Sequence, residues 1–226
     1  MAMRFVITGA RRGIGRLVAG QLVTSGHRVW AVVRPGSRID DLDLAGQIEC
    51  DLAEPNRVVD AVNAVVDELE SVDGFIHCAG VIGNGLLADS DPADFEQVFR
   101  VNVESAAQII RCLLPGLRAA SGTVVLINST SGLSAGPPLS VYGSSKYALR
   151  GLADALRAEE PKLRVTSVYP SRTATDMQRE LRELEGAEYV ADNYLRPQTV
   201  ADTVLHALLL PNDGVITDVV LRPRPR

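Results

Sequence analysis

The 226-residue chain holds three cysteines, Cys50, Cys78 and Cys112, an odd and widely spaced set. They make neither a disulfide framework nor a metal-ligating cluster, which suits a reducing compartment. Histidine is equally scarce: His27, His77 and His206 stand far apart, so metal catalysis is not expected. No stretch of eighteen apolar residues occurs, and the Met1 region passes straight into a strand pattern without a signal peptide. Charge of one sign is also lacking. Charged residues are 23% and the net charge is −5, which argues against nucleic-acid or anionic-membrane partners. The basic end, Arg222-Pro223-Arg224-Pro225-Arg226, is too short to alter that balance and reads as a solvated tail. A cytoplasmic location is the expectation.

What the chain does have is alternation. Apolar, β-rich runs at 3–8, 28–34, 47–50, 73–78, 122–128, 163–169 and 215–221 alternate with longer amphipathic runs at 13–25, 55–70, 93–118, 140–159 and 198–210. That order predicts an α/β fold with a parallel sheet and helices on both faces. Segment 35–46 is polar and holds Pro35 and Gly36, so a loop or poor helix is expected there. Residues 172–196 are weakly periodic and read as a substrate lid. No linker or repeat divides 1–226, so one doubly wound domain is expected, with its ligand past the carboxyl ends of the strands.

Two motifs carry chemistry. Tyr142 and Lys146 stand four residues apart, on one face of a helix. A phenol has a pKa of about 10, and a nearby ammonium lowers it. Such a pair can exchange a proton with a carbonyl or alcohol oxygen. Ser129 lies thirteen residues earlier, at the end of an apolar strand, with Thr130 and Ser131 as rival hydroxyls. The second motif, Gly9-x-x-x-Gly13-Ile14-Gly15, joins the first strand to a helix. Outward amides and missing side chains at such a turn receive a pyrophosphate.

Together with Thr8, Asp51-Leu52, Cys78-Ala79-Gly80, Asn102, and Pro170 followed by Thr175, these motifs resemble the short-chain dehydrogenase/reductase family, in the family's order and over most of the chain. The resemblance implies a Rossmann sheet of seven strands and NADP(H) as cofactor. It also implies reversible reduction of a ketone or aldehyde, with Tyr142 as the acid/base. Ser129 would hold the substrate oxygen. Lys146 would bond the nicotinamide ribose and polarise Tyr142. Asn102 would hold a water in a proton relay, although on the residues alone an exposed helix asparagine is the simpler reading. Gly9, Gly13, Ile14 and Gly15 would meet the pyrophosphate, Asp51 and Leu52 the adenine, and Cys78, Ala79 and Gly80 the adenosine ribose. Pro170, Ser171, Thr173 and Thr175 would border the nicotinamide.

The family usually has Asn where this chain has Cys78, and Gly where it has Ser171, a change that disfavours positive φ. Val33 takes the place where an acidic residue would select NAD. Arg34 follows it, and Arg11 and Arg12 stand in the glycine loop. The guanidiniums of Arg12 and Arg34 predict NADP over NAD, unless these and Arg11 are ordinary solvated charges. The substrate pocket is expected around 81–84, 133–139 and the lid, including Tyr189 and Tyr194. Nothing there fixes the substrate's chemical class. The resemblance also implies a homodimer or homotetramer built on the helices near 93–118 and 140–159. Two other readings stay open: a catalytically silent NADP(H) sensor, and an alcohol dehydrogenase working in the oxidative direction.

Overall fold

Seven short apolar runs lie side by side as an all-parallel sheet in the order β3-β2-β1-β4-β5-β6-β7. The strands are β1 (Arg4–Thr8), β2 (Arg28–Val33), β3 (Gly46–Glu49), β4 (Gly74–His77), β5 (Thr123–Ile127), β6 (Arg164–Pro170) and β7 (Asp218–Leu221). The computed structural model describes residues 2–83 and 85–224. Asn84, placed at the pocket from the sequence, lies outside the described residues, as do Pro225 and Arg226 of the basic tail.

Helices cover both faces, as expected of strands that are apolar on both sides. On one face lie α2 (Pro55–Leu69), α4 (Ser105–Ala120) and α5 (Ser140–Glu159), packed on Val6, Phe75, Val124 and Val165. On the other lie α1 (Gly13–Thr24) and α7 (Pro197–Leu208), packed on Phe5, Ile7, Ile76 and Val125. Helix α4 shows the pattern that drives this. Ala106, Ile109, Ile110, Leu113 and Leu117 recur every three or four residues, and all are buried. Segment 35–46 carries no helix, as its proline and glycine implied.

Two stretches differ from the expectation. The helix read across 93–118 is interrupted: α3 (Pro92–Phe99) leads into a π-helical turn, Arg100–Glu104, before α4. Hydrophobic spacing is blind to one inserted residue, and such bulges frequently mark functional sites. The segment 172–196 holds a helix, α6 (Asp176–Leu184). Its start signal was present in the sequence. The Thr175 hydroxyl caps it by accepting from the Gln178 N–H at 3.4 Å, and Asp176 sits in the first turn. The alternating charges of 179–185 do form a largely solvated helix face.

The segment is tied at both ends. The Leu195 N–H donates to the Arg172 carbonyl and the Ala174 N–H to the Leu195 carbonyl. Ser171 does not take a positive φ; its N–H donates to the Leu221 carbonyl at 2.9 Å. The glycine-to-serine departure therefore leaves this turn unstrained.

Truncating Leu113, fully buried between α4 and the sheet, tests this packing. Leu113→Ala is expected to cost about 3 kcal/mol, a fall of roughly 6–12 °C in Tm for a domain of this size. Calorimetry showing an unchanged Tm would contradict the assigned core.

Candidate functional site

A cleft of about 1110 Å³ runs along the carboxyl ends of the strands. Its wall takes in every cofactor and catalytic position read from the sequence except Asn102, which stands just behind it, next to the lining residue Val101. Thr130 and Ser131 also line it.

The floor is set by close backbone contact. Gly9 has φ +72°, and a Cβ there would lie 2.8 Å from the Ala79 nitrogen. A Cβ on Gly15 would collide with the Gly9 carbonyl. Thus the loop after β1 can fold against the end of β4 only without side chains. Helix α1 starts at this loop with no side-chain cap and no acidic residue in its first turn. Its leading amides and dipole remain available to an anion. The residues present therefore fit a dinucleotide pyrophosphate.

Asparagine side chains fasten the catalytic elements. Asn102 is fully buried, so the exposed-helix reading is wrong. Its Oδ1 accepts from the Val81 N–H at 2.8 Å, while Nδ2 donates to the Val81 carbonyl and the Ser145 hydroxyl, each at 3.0 Å. The π turn lets this side chain leave its helix toward both elements. Its amide thus joins the Val81 segment to α5. Asn128, not singled out from the sequence, plays a matching part. Its Oδ1 accepts from the Ser129 N–H at 2.8 Å and its Nδ2 donates to the Lys146 carbonyl at 3.1 Å. Asparagine directly after a strand, before a candidate hydroxyl, was the available signal.

Lys146 is only 3% exposed. Its Nζ donates to the Ile127 carbonyl at 2.9 Å and lies 5.7 Å from the centre of the Tyr142 ring. Burial, partly offset by Cys78, pulls its pKa down to about 8. Tyr142 departs from the expectation. Burial raises its pKa, and a hydrogen bond with Ser129 offsets this only in part. The ammonium is directed at a carbonyl instead of the phenol oxygen, so desolvation outweighs attraction. The Ser129 hydroxyl also accepts from the Ser131 N–H at 3.1 Å, which fixes its orientation. The phenol is thus a protonated group facing an oriented hydroxyl, suited to donating a proton to an oxygen.

The basic residues divide. Arg11 reaches the Ser37 hydroxyl at 3.0 Å, and the Ser37 N–H donates to the Arg34 carbonyl. Arg34 has no side-chain partner among the described residues and lines the cleft. Arg12, expected beside it, turns instead to α6, at 2.8 Å from Glu180 and 3.8 Å from Asp176. Two carboxylates on one helix face outbid its neighbour's backbone for that guanidinium. Asp51 lines the cleft, and its Oδ1 accepts from the Ala53 N–H at 2.9 Å, which also shapes the loop. Cys78 is pushed up to about 12 by burial. It stays a neutral thiol, in keeping with a packing role.

His77 also escaped the sequence reading. It is fully buried at the end of β4, with Nδ1 3.1 Å from the Thr8 hydroxyl, which in turn accepts from the Ala79 N–H at 3.0 Å. Burial, and secondarily Lys146, lowers its pKa from 6.5 to about 3. The folded protein therefore keeps His77 neutral where an unfolded chain would protonate it. Stability from this source is fully present above about pH 6.5 and is lost as pH falls toward about 3. In urea titrations over that window, His77→Asn should reduce the pH slope of unfolding free energy by up to about one proton. An identical slope would rule out this titration.

Comparison with known proteins agrees with the geometry. The family model for short chain dehydrogenases matches residues 4–186. The chain is 30% identical, over 97% of its length, to the glycine betaine reductase ATRR of Emericella nidulans, of which it spans only 18%. It is 26% identical to an uncharacterized oxidoreductase of Staphylococcus epidermidis over 96% of both chains. Among solved structures, an alcohol dehydrogenase of Thermococcus sibiricus complexed with 5-hydroxy-NADP superimposes with a TM-score of 0.87 at 23% identity, covering both chains in full. ElxO with NADP bound gives a TM-score of 0.85 at 22% identity over 97% of each chain. The glycine-floored cleft, the Ser129, Tyr142 and Lys146 cluster and the family match together make this chain an oxidoreductase of the short-chain dehydrogenase/reductase family.

Proposed function

We propose that the protein is an NADPH-dependent reductase that converts a ketone or aldehyde to an alcohol, reversibly, with Tyr142 as the proton donor. The observation that carries this reading is the half-buried Tyr142 beside Ser129 and Lys146, in the same cleft as the glycine floor. Nicotinamide, when bound, supplies the hydride. Ser129 donates a hydrogen bond to the substrate oxygen and holds it against Tyr142. The raised phenol pKa keeps Tyr142 protonated at neutral pH, the form that reduction consumes. Lys146 places a positive charge behind the phenol as its proton leaves. Asn102 and Asn128 keep the Val81 segment, Ser129 and α5 in register.

Gly9, Gly13, Ile14 and Gly15 would hold the pyrophosphate, and Asp51 and Leu52 the adenine. Cys78, Ala79 and Gly80 would border the ribose; Pro170, Ser171, Thr173 and Thr175 would border the nicotinamide. Arg11 and Arg34, flanking Ser37, supply the charge for a 2′-phosphate. The NADP named with two structural relatives supports the same choice. Segment 172–196, with α6 above the cleft, acts as the lid.

Tyr142→Phe is expected to lower kcat at least ~100-fold while NADPH affinity, read by fluorescence titration, changes little. Ordinary activity in that variant would overturn the acid assignment. As pH rises, Lys146 loses its charge near pH 8. Reductive kcat/KM should accordingly hold level around neutrality and decline above about pH 8; a profile still rising there would contradict it. Wild-type protein should bind NADPH more tightly than NADH, and Arg34→Gln should weaken NADPH roughly tenfold with NADH unaffected. Equal or tighter NADH binding by the wild type refutes the cofactor preference.

A further inference from the structure

Resting on the reductase reading, we propose that the carbonyl substrate carries a carboxylate at the end away from its reacting oxygen, and that Arg222 binds it. The sequence assigned Arg222 to a solvated tail. The structure puts it, with Pro223, in the wall of the catalytic cleft. It directly follows β7, whose Leu221 pairs with Pro170 of β6. Strand order places β7 two positions beyond β5, the strand that leads to Ser129, on the side opposite the Arg34 end of the cleft. Two strand spacings are about 10 Å, and an arginine side chain reaches back across much of that distance. The cofactor's phosphates belong with Arg11, Arg34 and the α1 amides, so Arg222 lies outside their reach.

The charge pattern around this compartment singles out the same residue. Near α6, Asp176 and Glu180 share Arg12, and Glu185 just past the helix meets Arg172 and Arg182, each at 2.6 Å, while the exposed Glu183 makes no ion pair among the described residues. Arg172 is thereby held by a carboxylate it shares with Arg182. Arg222, exposed at the cleft wall, has no ion pair or hydrogen bond among the described residues, so its charge is unpaired in a protein of net charge −5. Gln178, 6% exposed and lining the same cleft, has a side-chain nitrogen with no partner. An unpaired guanidinium and an unpaired amide donor together match a carboxylate, which accepts at both oxygens. A neutral chain without an acceptor would leave the buried Gln178 donor unmet.

The test uses a matched pair, 4-formylbenzoate and its neutral methyl ester, assayed with NADPH on wild type, Arg222→Gln and Arg222→Lys. Comparing each substrate across the three proteins cancels their intrinsic reactivity. Arg222→Gln should lower kcat/KM for the carboxylate about tenfold, mainly through KM. The ester should stay within about twofold and NADPH affinity should not move. Arg222→Lys should recover part of the loss. Equal effects on both aldehydes, or none on either, overturn the proposal while leaving the reductase reading intact. A wild type inert toward both and toward other carbonyls overturns the reductase reading, and this inference with it.

Discussion

An ammonium group buried at the centre of the molecule sets the terms for the rest of the site. Taking a lysine charge out of water is costly unless the protein replaces its hydration. Lys146 obtains one strong acceptor, the Ile127 carbonyl at the end of β5. Desolvation still dominates, and the pKa falls to about 8. The group is consequently held close to neutrality, with its charge responsive to whatever enters the cleft. The same burial raises Tyr142, so the amine and the phenol move apart in acidity, the one downward and the other upward. The divergence comes from shared desolvation, which penalises ammonium and phenolate alike.

Such a pair is useful only if its backbone supports do not drift. Two asparagines provide this by hydrogen bonding to main chain, one from the π turn and one from the end of β5. Their roles are complementary. Asn102 joins the segment after β4 to α5 through Ser145, and Asn128 joins the segment after β5 to the same helix through the Lys146 carbonyl. Gly80 and Gly132 mark how closely these pieces meet. A Cβ on Gly80 would lie 3.3 Å from the Asn102 Oδ1, and one on Gly132 would lie 2.8 Å from the Lys146 carbonyl. Each strand end is thereby fastened to a helix that belongs to a different part of the chain.

Charge along the cleft is arranged by segregation. The overall excess is negative, yet the walls carry five arginines with Lys146, against Asp51 and Asp176. Where α6 brings acidic residues near, arginines meet them, and Arg12 is drawn away from the glycine loop to do so. That pairing ties the helix to the start of α1. Both partners are more than half exposed, so the contact is weak and easily exchanged. A clasp of this strength is compatible with the lid proposed for 172–196.

Much of this was legible in the residues. Parallel strands buried on both faces must be apolar throughout, so β1, β4 and β5 announced themselves. The ordered motifs located the glycine floor, Ser129 and the Tyr142–Lys146 pair because their spacing is set by local geometry: a turn, a helix face, a strand end. Asn102, Asn128 and His77 had no comparable local signature. Their work is hydrogen bonding to segments remote in the chain, and only the folded sheet makes those segments neighbours. The partner of Arg12, the acidity of Tyr142 and the position of Arg222 were decided in the same way. Electrostatic choices depend on distance and desolvation, which the order of residues does not contain until tertiary packing supplies both.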